Sequence, residues 1–384
     1  MMINAERLCR VFEELVVIDS PSMEEGAVCL RLQTIFSELG AQVYVDETRE
    51  KTGSQTGNLI AFFMGDVDAE PIMLSGHMDT VEPGRGINPV LRDGVYVSAG
   101  ETILGADDKS AIAIIIEVMR TVREKNLKIC PVEVVLTTCE EKGLLGAKAL
   151  DISKLRSRFG LILDSTDVEG IVTKAPAANR FTFRIYGKAA HAGAQPEKGL
   201  SAIQVASSAI SAIKLGRIDD ETTCNIGIFH AGTATNIIPD LALIEGEVRS
   251  HNLARLEEVT LEIVSAFERS VKTARDSSPD PDFPFFEKEL IRDFPNTDIK
   301  HDHRVVKLVQ KAAYNQNRSM DTVTVGGGSD ANIFFEKGIA AGVIGTGMKD
   351  LHTTSENVSI SDMVSAAELI IEVLKIHSSG EPLY

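Results

Sequence analysis

Positive charge is scarce in this chain: 39 Lys and Arg stand against 56 Asp and Glu, a formal net charge of −17 with a pI near 5.0. A nucleic-acid or anionic-membrane partner needs a basic face, so the balance argues against both. Cysteine is scarce too. Cys9, Cys29, Cys130, Cys139 and Cys224 are odd in number, and no two are spaced as a thiolate zinc site requires, which leaves free thiols in a reducing compartment. Long apolar runs are missing. The longest, Ala111 to Ile116, falls far short of the ~20 residues of a membrane span. Met1 to Arg10 carries charges and no apolar stretch of signal-peptide length. The expectation is a cytoplasmic protein of 384 residues, long enough for two domains, with an ordinary 43% hydrophobic and 25% charged content.

What is present reads as two textures. Glu6–Ile18 and Val28–Leu39 have apolar residues at helical spacing, the second ending at Gly40. Short runs rich in Val, Ile and Leu follow at Asn58–Phe63, Pro71–Leu74, Val132–Thr138 and Gly160–Leu163, with a helix expected over Ser110–Glu124. Strands apolar on both faces and alternating with helices predict an α/β layer with a mixed, largely parallel sheet. After about Thr173 the pattern changes. Phe181, Phe183 and Ile185 alternate with polar neighbours, and helices are expected over Ser201–Lys214 and Leu253–Lys272. Strands are expected at Thr222–Phe229, Leu241–Arg249 and Phe283–Ile291, with Asp276–Asp282 a loop. The order β-α-β-β-α-β predicts a ferredoxin-like α+β insertion. From about Asn296 the first texture resumes, with helices at His303–Tyr314, Ala331–Lys337 and Ser361–Ile376 and a strand at Ala340–Gly345. The domains are therefore expected at 1–176 with 294–384, and at 177–293.

Ligand-type residues fall at strand ends. His77 and Asp79 follow Pro71–Leu74, Glu140 and Glu141 follow Val132–Thr138, Asp164 ends Leu161–Leu163, and His352 comes soon after Ala340–Gly345. Asp107 precedes a helix in LGADDKS. In open α/β sheets the carboxyl ends of parallel strands border the ligand crevice. Imidazole and carboxylate are zinc donors, and a metal pair needs a bridging carboxylate. His77, Asp107, Glu141, Asp164 and His352 supply such a set. Asp79 is spaced to accept the second N–H of His77, and Glu140 remains as general base. His301 and His303 read as surface residues.

The segments SGHMDTV, LGADDKS, TTCEEKGLLGA, LILDS, GKAAHAG, TNIIPD and LHTTSE together resemble the co-catalytic di-zinc metallopeptidases that include peptidase T, glutamate carboxypeptidase and the aminoacylases, with peptidase T-like tripeptide aminopeptidases nearest. The resemblance covers nearly the whole chain in the expected order. It implies two zinc ions per subunit, with cobalt or manganese as alternatives. One would be held by His77, Asp107 and Asp164, the other by Asp107, Glu141 and His352, with Asp107 bridging. Glu140 would activate water, Asp79 would orient the histidine, and the Asp107–Asp108 bond would be cis.

The same resemblance makes the insertion a lid and dimerisation domain and implies a homodimer. His191 matches a residue that binds substrate or the oxyanion, and Asn236 and Arg249 match substrate contacts. Gly327 and Gly328 match a glycine-rich substrate loop. Relatives carry an Arg before those glycines, where this chain has Val325 and Gly326. His230 has no functional account. The implied substrate is a small peptide. Rival readings are an N-acyl amino acid deacylase or desuccinylase on the same site, and a non-catalytic binding protein.

Overall fold

The structure is a computed structural model and describes residues 2–278 and 280–383. Pro279, in the loop expected over 276–282, and Met1 and Tyr384, at the ends of the expected catalytic domain, lie outside the described residues. The chain divides into two compact units. One comprises Met1–Lys174, Thr297–Val325 and Ser329–Tyr384; the other comprises Ala175–Asn296 and Gly326–Gly328. Among the described residues no helix is long and apolar enough to cross a membrane.

In the first unit a nine-stranded sheet, counted among the described residues, runs in the order Gln42–Val45, Leu59–Phe63, Val132–Thr137, Ile72–His77, Phe159–Ser165, Ala340–Gly345, Gly170–Ala175 and Thr297–Asp298, with Asp321–Thr324 also paired to Gly170–Ala175. Its centre is parallel: Ile72–His77 pairs in parallel with Val132–Thr137 and with Phe159–Ser165, and Ala340–Gly345 continues that direction. Antiparallel pairs flank this centre. Every residue of Leu59–Phe63, Ile72–His77 and Val132–Thr137 is buried. Apolar side chains on both faces demand cover on both faces, and helices supply it. The helix Ala106–Glu124 packs against Ala5–Val16 and Ile360–Ser379.

Local chemistry sets the helix boundaries. Asn4 caps Ala5–Val16 by accepting from the Arg7 amide, and Ser359 caps Ile360–Ser379 through the Asp362 amide. His303, expected to be a surface residue, is half-buried and is the N-cap of Arg304–Asn315, its Nδ1 accepting from the Val305 amide at 3.3 Å. Arg7 ties the first helix to the long buried one: its Nε and Nη2 donate to the Glu117 carboxylate at 2.6 and 2.8 Å, and that carboxylate is fully buried. A small sheet (Met348–Lys349, Asn357–Ser359, Val95–Ser98 and Pro89–Arg92, in that order) frames the loop that carries His352.

The second unit has its own core. Its antiparallel sheet runs Gly216–Arg217, Thr222–Ala231, Leu241–Ser250, Ala177–Tyr186 and Phe285–Phe294, with helices Ala202–Ser211 and Leu253–Asp276. The four long strands have the ferredoxin-like order. The two helices pack on one face of the sheet, where Phe181, Phe183 and Ile185 are buried as their alternation predicts. The Phe183 ring lies 4.7 Å from that of Phe181 and 4.8 Å from that of Phe267. The last strand starts at Phe285 rather than Phe283, because Pro284 has no N–H for the ladder. It runs on to Phe294 through a register shift after Arg292.

Candidate metal centre

The parallel strands deliver the polar residues. His77 is the last residue of its strand and stands opposite Thr137 in register. Two residues past Thr137 the chain turns at Cys139, which has a φ of 53°, and presents Glu140 and Glu141. Asp164 comes at the end of the neighbouring strand Phe159–Ser165. Asp107 lies inside what is outwardly one helix, but it and Asp108 have non-helical backbone angles and are joined by a cis peptide bond. His352, with a φ of 60°, comes from the loop of the small sheet.

The distances draw His77, Asp107, Glu141 and His352 together. His77 Nε2 lies 3.0 Å from one Asp107 oxygen, and His352 Nε2 lies 3.3 Å from the other. His352 Nε2 is also 2.9 Å from Glu141 Oε1. One potential ligand atom from each of His77, Asp107 and Glu141 lies within 4.8 Å of the others. The Asp107 carboxylate thus stands between two imidazoles, the position a bridging ligand would take.

A second layer of oxygens holds the segment that bears the two glutamates. The Thr138 amide donates to Asn58 Oδ1 at 3.1 Å and the Cys139 amide to Glu25 Oε1 at 2.9 Å. The Glu140 and Glu141 amides donate to the two oxygens of Asp79 at 2.9 and 3.2 Å. Asp79 orients His77 chiefly through its backbone carbonyl, 3.0 Å from Nδ1, while its carboxylate is 3.5 Å away. Sequence reasoning missed Asn58 and Glu25. A polar residue placed just before an apolar strand, and a carboxylate at the start of a helix, are ordinary positions, and only burial sets these two apart.

The electrostatics of the cluster ask for a cation. Burial pushes the Glu140, Asp164 and Asp108 carboxyls well above the usual range, and like charge adds to this: Asp164, Asp330 and Glu141 act on Glu140, and Asp107 and Glu141 on Asp164. Burial also opposes ionisation of Asp107, but hydrogen bonds from His352 and His77 hold it well below that range. Hydrogen bonds to Asp107 and Glu141 raise His352 to about 10. For His77 the largest influence, burial, lowers the pKa, yet Asp107 and Asp79 outweigh it and the net shift is strongly upward. So many carboxyls in one buried place are costly unless positive charge arrives. Two imidazoles and several carboxylates are a donor set that suits zinc, so the residues fit a metal centre.

The residues expected to bind substrate lie in the second unit. His191 is exposed, and its Nδ1 accepts from the Gly193 and Ala194 amides at 3.2 and 3.1 Å, which leaves the ring proton on Nε2. The Asn236 carbonyl accepts from the Ala192 amide at 2.9 Å, joining the two loops. Arg249 pairs with Glu247 at 2.9 Å, reaches the Gly326 carbonyl at 3.3 Å and lies over the Phe294 ring. Gly328 packs on that ring so closely that an added Cβ would come within 2.5 Å of it, whereas nothing crowds Gly327. His230 is exposed on the strand Thr222–Ala231.

A two-unit α/β protein whose parallel strands end in a buried imidazole and carboxylate cluster is of the metal-dependent hydrolase class. The chain belongs to peptidase family M20/M25/M40, whose sequence pattern matches residues 73–376. It is 39% identical to the uncharacterized protein YqjE of Bacillus subtilis, over 97% of this chain and 99% of that one. It is 25% identical to peptidase T of Haemophilus influenzae, over 73% of this chain and 67% of the relative. Among solved structures, aminopeptidase PepT of Bacillus cereus matches with a TM-score of 0.90 and 38% identity over 99% of this chain and 100% of that chain. A tripeptidase of Staphylococcus aureus matches with a TM-score of 0.93 and 36% identity over the same shares.

Proposed function

We propose that this protein is a peptidase T-like aminopeptidase that hydrolyses small peptides with the help of two divalent cations. The observation that carries the reading is the Asp107 carboxylate, with one imidazole on each oxygen and Glu141 against the second imidazole. His77, Asp107 and Asp164 would hold one cation, and Asp107, Glu141 and His352 the other. Zinc is the ion we assign, from the imidazole and carboxylate donors. When bound, the pair would supply Lewis acidity and lower the pKa of water.

The protein's own groups do the rest. Glu140 is buried, and its proton affinity is raised by burial and like charge, which suits a base that must accept a proton and return it. It takes the proton from water as the oxygen attacks the peptide carbonyl, and gives it to the departing amine. Asp79 holds the backbone of Glu140 and Glu141 at once, which sets the base beside the metal ligand. We assign His191, Asn236, Arg249, Gly327 and Gly328 to substrate binding, on the strength of the family motifs. The Nε2–H of His191 is a donor suited to a developing oxyanion.

A homodimer through the inserted unit is part of this reading. Ile226–Ala231 extends the strand beyond its pairing with Gly216–Arg217, and Ile228 and Phe229 are exposed there. Five free cysteines support a reducing, cytoplasmic location. The test is a panel of tripeptides, dipeptides and N-acyl amino acids assayed with zinc-reconstituted protein. Preference for tripeptides supports the proposal. Preference for N-acyl amino acids would favour the deacylase, and no turnover of any of them the binding protein.

A further inference from the structure

Glu356 has no part in the chemistry above, yet it is 1% exposed and its carboxylate is fully engaged. One oxygen accepts from the Leu104 and Gly105 amides at 2.8 and 2.9 Å, and the other from the Asp107 amide at 2.9 Å. Gly105 has a φ of 71°, a left-handed turn that glycine takes without strain and that aims neighbouring amides at one anion. Glu356 lies four residues past His352, in the same short loop. That loop is braced internally: Thr353 Oγ1 donates to the Asp350 carbonyl at 2.7 Å, the Glu356 amide donates to the Thr353 carbonyl at 3.2 Å, and Asn357 Nδ2 donates to the Asp350 carboxylate at 3.2 Å.

We infer that Glu356 is a positioning residue that fixes the His352 loop against the backbone of Asp107 and so sets the spacing of the second metal site. The inference rests on the metal assignment made above. The physical reason is an asymmetry of support. His77 ends a buried central strand, where the Asp79 carbonyl meets its Nδ1 at 3.0 Å and its own amide donates to Asp108 Oδ2 at 3.1 Å. His352 has half of its side chain exposed and comes from a loop between strands of two and three residues. Three hydrogen bonds from amides to a charged carboxylate are therefore a large share of what holds that loop in place. Weakening them frees His352 while leaving Asp107 on His77. The site with His352 and Glu141 then loses affinity, and the site with His77 and Asp164 keeps it.

The experiment titrates metal-free full-length protein with Zn²⁺ in competition with a chromophoric chelator, for wild type, Glu356→Gln and His352→Ala. The glutamine has the same shape, but its NH₂ group must face one of the three amides. Wild type is expected to bind two Zn²⁺. Glu356→Gln is expected to weaken one site by about 10- to 100-fold, the range for losing a group that orients a metal ligand, and to leave the other within about threefold. The weakened site should be the one that His352→Ala removes. Turnover of Glu356→Gln should recover in excess Zn²⁺ with KM unchanged, and its metal-free thermal midpoint should stay near that of wild type. Two Zn²⁺ bound as tightly as in wild type would overturn the inference. So would equal weakening of both sites with a lowered metal-free midpoint, which marks simple support of the fold. A wild type that binds fewer than two Zn²⁺, or a His352→Ala variant that binds both normally, would instead strike the metal assignment itself.

Discussion

Asp79 accepts the backbone amides of Glu140 and Glu141 on separate carboxylate oxygens, at 2.9 and 3.2 Å. A single carboxylate thereby sets two neighbours for which different tasks are proposed. Asp79→Asn keeps the shape and the backbone carbonyl that meets His77, but its NH₂ group must face one of the two amides. The variant is expected to fold, to lose about 10- to 100-fold in kcat, and to bind metal more weakly. Steady-state kinetics with a tripeptide and a parallel metal titration check this; kcat within threefold of wild type contradicts it.

Glu140→Gln removes the proposed proton acceptor and leaves the proposed ligands untouched. A drop of about 10³-fold in kcat with unchanged metal content is expected, within the range for general acid–base catalysis. Metal analysis and kinetics on one preparation decide it, and kcat within tenfold of wild type refutes the assignment.

Metal affinity should rise with pH. In the metal-free chain the His352 ring is pushed up to about 10 by Asp107 and Glu141, so at pH 7 it carries a second proton that a cation must displace, and His77 is shifted in the same direction. Glu140 and Asp164 are shifted the same way. Because binding releases protons, each rise in pH up to about 10 favours the bound state. Calorimetry of Zn²⁺ binding at pH 7 in buffers of different ionisation enthalpy should show net proton release; no dependence on the buffer would contradict the shifts.

Removing the metal should cost stability as well as activity. A ligand that binds only the folded state, at about 100 times its Kd, adds about 2.7 kcal/mol. Chelator-treated protein should melt several degrees below the Zn²⁺-loaded form, and equal thermal midpoints would speak against a metal-free cluster burdened by its own charge.

Away from the centre, Glu117→Ala should destabilise the fold by about 3 kcal/mol, since it leaves Arg7 largely buried without its main partner. Urea unfolding measures this, and a loss below about 1 kcal/mol would show that Glu124 compensates.

Much of the centre was legible because periodicity is local. Short runs rich in Val, Ile and Leu at Pro71–Leu74 and Val132–Thr138 mark buried strands, and His77 and Glu140 stand shortly after them. Glu25, Asn58 and Glu356 were not legible, since each acts by accepting backbone amides from segments far along the chain. An amide has no residue type, so such a bond leaves no pattern at either end. Nor does spacing reveal that Asp79 meets His77 with its carbonyl and spends its carboxylate elsewhere.

The sequence by itself determined the long helices and the central buried strands, that an α+β unit interrupts an α/β one, and which residue types stand at those strand ends, but not shorter strands such as Gln42–Val45, Val95–Ser98 and Gly170–Ala175. Those properties follow from side-chain polarity repeating at fixed intervals. Only the tertiary structure decided which oxygen meets which nitrogen: that Asp107 stands between His77 and His352, and that Glu356 accepts from the Leu104, Gly105 and Asp107 amides. Such pairings join residues separated by as many as 252 positions, and the burial that makes them strong arises only when the sheet and its helices close around them.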